Sequence, residues 1–269
     1  MKKTNGIWVP SEDHFPISPQ FEFYQRSKVI EKTLRRKTFI DVGGHVGVWT
    51  MYMAKYFNRV VSFEPLRLNR ECLKKNIEGL HNVELIPFAL GNDEESKRMS
   101  ILNEGNVGTA SIDKAGKYSV KTKRLDSFGY RDVDLIKIDT EGYELNVLKG
   151  ARETIIKNKP VIILEVNECA SRFGSSLKKI EDFFLEIGYT LTEQVSFIDY
   201  IFTPVNNKKT MVSLNKRIPS NTKKIILCKF CRTAQFDFIR LSLENLYPEA
   251  TIEIFSKAAY LEEKYNNYL

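Results

Sequence analysis

Between residues 38 and 203, short apolar runs alternate with longer stretches whose apolar residues recur at helical spacing. "TFIDV" (38–42) reads as a strand, 47–57 as a helix, "RVVSFE" (59–64) as a strand and 67–80 as a helix. "NVELIPFAL" (82–90) and "DLIKID" (134–139) read as further strands, 144–158 as a helix and "PVIILEV" (160–166) as a strand. A helix over 176–189 and two last strands near 190–195 and 198–203 complete the series. Strands separated by helices of about ten to fifteen residues specify an α/β chain with a doubly wound, mostly parallel sheet. Runs such as "RVV" and "IIL" do not alternate with polar residues, as strands covered on both faces do not.

The flanks differ. Residues 1–20 carry Pro10, Pro16 and Pro19 and read as an irregular arm. The stretch 21–36 reads as an amphipathic helix with Phe23, Val29, Ile30 and Leu34 as core positions. The pattern divides the chain into an arm and helix (1–36), a main domain (37–203), a polar linker (204–223) and a small extension (224–269). Strands at 223–230 and 251–255, with a helical pattern between them, make that extension a βαβα piece. Such a piece buries little alone, so it is expected to pack on the main domain or on a second copy as a homo-oligomer. Residues 92–132 interrupt the alternation; 98–104 and 119–125 read as an added hairpin or a pair of short strands, and "NVGTAS" (106–111) as a turn able to move. Ligands of such sheets bind beyond the carboxyl ends of the strands, where this insertion is expected to line an acceptor site.

Composition narrows the function classes only a little. Hydrophobic residues at 42% and charged ones at 28% describe an ordinary globular chain. A net charge of +7 permits nucleic acid, anionic glycans or a membrane surface as partners without selecting one. Cys228 and Cys231 form a lone C-x-x-C, and a structural zinc site would need two more ligands at suitable spacing. They read as thiols of a reducing compartment. The opening has no apolar core of a signal peptide, and no run approaches the roughly 20 apolar residues of a membrane span. A cytoplasmic location is expected.

The stretch "FIDVGGHVGVWT" (39–50) carries the chemistry. A strand runs through Asp41 into Gly43, Gly44 and Gly47 just before a helix. Glycines at that junction let a ligand lie against bare backbone near a helix N-terminus. The spacing G-G-x-x-G departs from the dinucleotide pattern G-x-G-x-x-G. Glu64 ends the second strand, where an acid suits the hydroxyls of a ribose. Together they indicate a nucleoside and argue against a dinucleotide.

"FIDVGGHVGVWT", "VVSFEP", "IPFALGN", "RLDSF", "DLIKIDTEGYELNVLKGA" and "VIILEVNE", in this order over about residues 37–170, resemble the FkbM family of S-adenosylmethionine-dependent methyltransferases. The resemblance implies a class I methyltransferase (Rossmann-like) fold of seven strands, the last antiparallel, with helices on both faces. It implies S-adenosyl-L-methionine as cofactor and O-methylation of sugars or small metabolites. Carried over by position, Asp41, Gly43, Gly44, His45, Val46 and Gly47 form the loop for the methionine portion. Gly44 and His45 stand where the family commonly has Ala and Asn, so the part played by His45 stays open. Glu64 matches the ribose acid, Pro65 flanks the adenosine, and Phe88, Ala89 and Leu90 border the adenine.

Asp139, Glu141 and Glu165 are the candidate catalytic residues, and Asp139 is also a candidate cofactor ligand. A carboxylate at the end of the fourth strand can hold an ammonium or orient an acceptor hydroxyl. Converging acids also accommodate a divalent cation; no histidine joins them, and helix-start acids explain Glu141 and Glu144, so no metal is assigned. Two other functions stay open. One is ribose 2′-O-methylation of RNA, using Asp139, Glu165 and a lysine such as Lys137 or Lys149. The other is a non-catalytic scaffold that retains the cofactor.

Overall fold

The computed structural model describes residues 1–205, 224–229 and 251–256. The chain divides into two compact units: Met1–Ile180 with Thr192–Thr203, and Glu181–Leu191 with Pro204–Leu269. In chain order the elements are β1 (Lys2–Thr4), β2 (Ile7–Val9), α1 (Phe23–Lys32), β3 (Thr38–Val42), α2 (Val48–Met53), β4 (Arg59–Phe63), α3 (Arg67–Asn76) and β5 (Val83–Ile86). The insertion follows with β6 (Ala89–Leu90), β7 (Ser96–Asn103), β8 (Asn106–Ile112) and β9 (Tyr118–Lys123). Then come β10 (Val133–Ile138), α4 (Glu144–Gly150), α5 (Arg152–Asn158), β11 (Val161–Glu165), α6 (Leu177–Glu186), β12 (Tyr189–Gln194) and β13 (Asp199–Pro204).

The central sheet is mixed, in the order β12-β13-β11-β10-β3-β4-β5. Neighbours from β11 to β5 pair in parallel, and β13 runs antiparallel to β11. Phe39, Leu135, Ile163 and Ile201 join Val29 of α1 and Trp49 and Met53 of α2 in one buried cluster. Ile40, Ile136 and Ile162 are equally buried, and strand alternation turns them to the opposite face. Coverage on both faces is the reason these strands lack polar alternation. The second unit contains a parallel pair, β14 (Lys224–Lys229) and β15 (Thr251–Ser256), at the two strand positions the sequence indicated for the extension. Most of the linker and the helical pattern of the extension lie outside the described residues.

Several local expectations are corrected. α1 starts only at Phe23, itself 55% exposed, and ends at Lys32 because Thr33 turns extended, so Leu34, 97% exposed, lies beyond it; Val29 is buried as expected, and Arg26 is also buried. The irregular arm contains a β1–β2 hairpin, with Lys2 opposite Val9. The strand read over 82–90 breaks at Pro87, and β6 leaves the central sheet to pair with β9. "NVGTAS" is not a turn but most of β8, the edge of a sheet ordered β6-β9-β7-β8. The helix read over 144–158 is two helices meeting at Ala151. Gly150 ends the first; a Cβ there would overlap the Gly91 carbonyl.

Among the described residues, no helix is long and apolar enough to cross a membrane.

Candidate active site

A cavity opens at the carboxyl ends of the parallel strands, the position a sheet of this kind reserves for ligands. Val42 and Gly43 face it from the end of β3, Phe63 and Glu64 from β4, Asp139 from just beyond β10 and Glu165 from β11. Of the residues singled out in the sequence, Gly43, His45, Glu64, Pro65, Phe88, Ala89, Leu90, Asp139, Glu141 and Glu165 line this one cavity. Asp41, Gly44, Val46 and Gly47 do not line it. Asp41 is wholly buried, accepts a 2.6 Å hydrogen bond from Thr50 Oγ1 and has its pKa raised by burial. A Cβ on Gly44 would overlap the Ser62 hydroxyl. Val46 packs with Ile7, Val9 and Ile17, and Gly47 at φ 93° starts α2. These four shape the loop from beneath.

Glu64 ties that loop to the next helix. Its Oε2 accepts from the His45 amide and its Oε1 from the Leu66 amide, both at 2.8 Å. Burial outweighs these bonds and pushes the carboxyl up to about 7. Each oxygen retains a free lone pair for a ligand hydroxyl. His45 itself adopts φ 48°, and its Nε2 lies 3.6 Å from the buried Asp13 carboxylate. Beside it, Asn69 is 2% exposed and lines the cavity; its Nδ2 donates to the Val107 carbonyl at 3.3 Å, while its Oδ1 has no partner.

The other end of the cavity is acidic. Lys137 Nζ donates to Asp139 Oδ2 at 3.0 Å and to the Gly43 carbonyl at 3.2 Å, with Asp41 Oδ1 at 3.9 Å. Burial alone would lower the lysine pKa; the charges of Asp139, Asp41 and Glu22 raise it instead. Glu141, at φ 53°, is pushed up to about 7 by burial and by the charge of Asp139. Glu165 rises to about 10 through burial and the charges of Asp139, Glu141 and Asp199. The Asn167 amide bridges the last two, donating to Glu141 at 3.0 Å and Glu165 at 2.6 Å. Asp139, Glu141 and Glu165 each place an oxygen within 4.8 Å of the others, a spacing that suits a divalent cation, though Lys137 and Asn167 already give each of the three acids a donor.

Sequence reasoning missed part of the wall. Phe15, Ile17, Phe21 and Glu22 reach the cavity from the arm, and Asn69 reaches it from α3. Met99, Asn106, Gly108, Ala110 and Ile112 reach it from the insertion, within the 92–132 stretch the sequence assigned to an acceptor site. Residues 1–20 gave no periodic signal, since their apolar residues sit among prolines, and Phe21 and Glu22, read as the start of a helix, precede α1.

The residues suit a nucleoside with a charged tail. Pro65 and Phe88–Leu90 offer an apolar wall that suits a flat base, and Glu64 offers acceptors that suit hydroxyls. The unpartnered Asn69 Oδ1 calls for a donor from a ligand. Gly43 supplies bare backbone, because any Cβ there would overlap the Asp139 carbonyl.

Comparison with known proteins places the chain in a family. The "Methyltransferase FkbM domain" model matches residues 41–191. "Methyltransferase 1" of Beauveria bassiana is 25% identical over 142 residues, covering 41% of this chain and 57% of that protein. The AMB antimetabolite synthetase AmbE of Pseudomonas aeruginosa is 26% identical over 176 residues, 48% of this chain but only 8% of that protein. The crystal structure of an FkbM methyltransferase from Methylobacillus flagellatus has a TM-score of 0.46 at 19% identity, over 70% of this chain and 51% of that one. With the family model matching more than half of its length, the chain belongs to the FkbM methyltransferase family.

Proposed function

We propose that the protein is an S-adenosyl-L-methionine-dependent methyltransferase acting on a hydroxyl of a sugar, glycan or small metabolite, with residues 37–203 as its catalytic domain. The observation that carries this reading is a single cavity with two unlike ends. Glu64, Pro65 and Phe88–Leu90 stand at one, and Asp139, Glu141 and Glu165 at the other. When bound, the cofactor supplies a methyl group on a positively charged sulfur. The chain then has to align the acceptor, exclude water and take up the acceptor proton. Asp139 is suited to orient or deprotonate the hydroxyl. Glu141 and Glu165 shape the field around it. Phe15, Ile17 and Phe21 close the wall against water.

An RNA acceptor is less favoured. Neither Lys137 nor Lys149 lines the cavity, and Lys137 is 10% exposed and committed to Asp139. Its acids would repel a phosphodiester.

Titration calorimetry with S-adenosylhomocysteine tests the donor, and no heat above dilution would refute it. Mass spectrometry of candidate glycans and metabolites after incubation with labelled cofactor tests the acceptor. Label found only on RNA would replace the hydroxylated small molecule with the alternative reading.

A further inference from the structure

One carboxylate of the cavity wall comes from the N-terminal arm. Glu22 lines the same cavity as Gly43, Asp139 and Glu165. Its backbone lies at φ 56°, in the left-handed region. That conformation is costly for a residue other than glycine and persists where its surroundings impose it. Arg26 imposes it. The buried guanidinium donates to the carbonyls of Pro19 (2.7 Å), Phe21 (2.6 Å) and Glu22 (3.3 Å), and lies 4.3 Å from the centre of the Tyr52 ring. The side chain is held independently, since Glu22 Oε2 accepts from the indole Nε1 of Trp49. Trp49 is itself fixed in the core cluster with Phe39.

A strained backbone, a buried arginine and a buried tryptophan thus converge on one acid. Glycine would occupy the same turn at lower backbone cost. The acid adds an ionisable group to the cavity. Glu22 joins Asp139, Glu141 and Glu165 in the wall; Asp139 is paired with Lys137, and burial pushes Glu22 and Glu141 up to about 7. A cation bound beside such a carboxyl favours its ionised form, so the wall gains charge as a positively charged ligand enters.

We infer that Glu22 is a charge-selecting residue of the donor site, favouring the sulfonium form of the cofactor over the uncharged-sulfur product. The inference rests on the methyl-donor reading above. The two forms differ by one positive charge and one methyl group. A carboxyl held in that wall, ionised against the sulfonium, would bind the donor more tightly than the product.

The test is titration calorimetry on the full chain with S-adenosylmethionine, sinefungin and S-adenosylhomocysteine. Sinefungin carries an amine in place of the sulfonium and transfers no methyl group. Glu22→Gln keeps the shape and an acceptor for Trp49 but removes the charge. It should weaken the two cationic ligands about tenfold, the scale of one charge-assisted hydrogen bond, and the homocysteine product less than about threefold. Glu22→Asn, which tolerates the left-handed turn, removes the same charge and serves if the first variant melts early. Equal weakening of all three ligands, or none, overturns the inference while leaving the donor reading intact. A wild-type protein that binds none of the three removes the donor reading, and this inference with it.

Discussion

Lys137 and Asp139 form an ion pair of 3.0 Å between adjacent same-face positions at the end of β10. The lysine is nearly buried, and Asp41, 3.9 Å away on its other side, is wholly so. Removing one partner of a buried pair strands the other charge and costs about 3–5 kcal/mol. Lys137→Met should therefore lower unfolding free energy in urea by about that much. Adding Asp41→Asn should recover part of the loss, a non-additivity expected of groups in direct contact. Additive losses would show that Asp41 does not depend on the lysine.

An acid placed shortly before α4, as Asp139 is, could serve merely to cap that helix. Glu144 does the local work instead: its Oε1 accepts from the amides of Thr140 at 2.9 Å and Gly142 at 3.0 Å. Asp139→Asn should lower turnover of an identified acceptor by about 10²–10⁴-fold, the range of a general-base contribution. Its melting temperature should fall only slightly, because Asp41 still faces Lys137. Near-normal turnover in a folded variant would remove Asp139 from the reaction.

Glu64 holds two amides as well as the expected ligand hydroxyls. Glu64→Ala should lower affinity for S-adenosylhomocysteine at least about tenfold, from lost charge-assisted bonds worth about 1.5–3 kcal/mol each. It should also destabilise the free protein, because the His45 and Leu66 amides lose their acceptor. An unchanged dissociation constant would confine Glu64 to a structural role.

Glu22, Glu64 and Glu141 are each raised from 4.5 to about 7, chiefly by burial. Between those values the folded chain binds protons that the unfolded chain has released. Stability must then decrease as pH rises through that window. The ligand-free protein should melt at a higher temperature at pH 5.5 than at pH 8, and Glu141→Gln should flatten the dependence. Melting that rises with pH would mean these acids are ionised in the folded state at little cost.

The sheet was legible because buried parallel strands leave continuous apolar runs. Strands read at 38–42, 59–64, 134–139 and 160–166 fall within about a residue of β3, β4, β10 and β11. The ends of those strands carried most of the cavity residues found from sequence. Helix ends were harder to place, because nothing before Thr33 announces that the chain leaves α1 there. β8 was hidden by composition: Asn106, Gly108 and Ala110 have weak strand preference, and the strand is held by pairing with β7. The arm wall was hidden for another reason. Phe21 and Glu22 are held by Arg26 and Trp49, and Phe15 packs edge-on against Phe21, contacts with no local periodicity.

The assembly of this wall also sets an order of events during synthesis. Phe15 and Phe21 leave the ribosome long before Asp139 and Glu165, which face the same cavity. At about 5–20 residues per second, the arm waits several seconds or more for the strands that complete the pocket. Until then its aromatic residues have no cavity to close. A growing chain can carry the glycine loop and Glu64 in place, yet it acquires a pocket walled on all sides only after β11 has emerged.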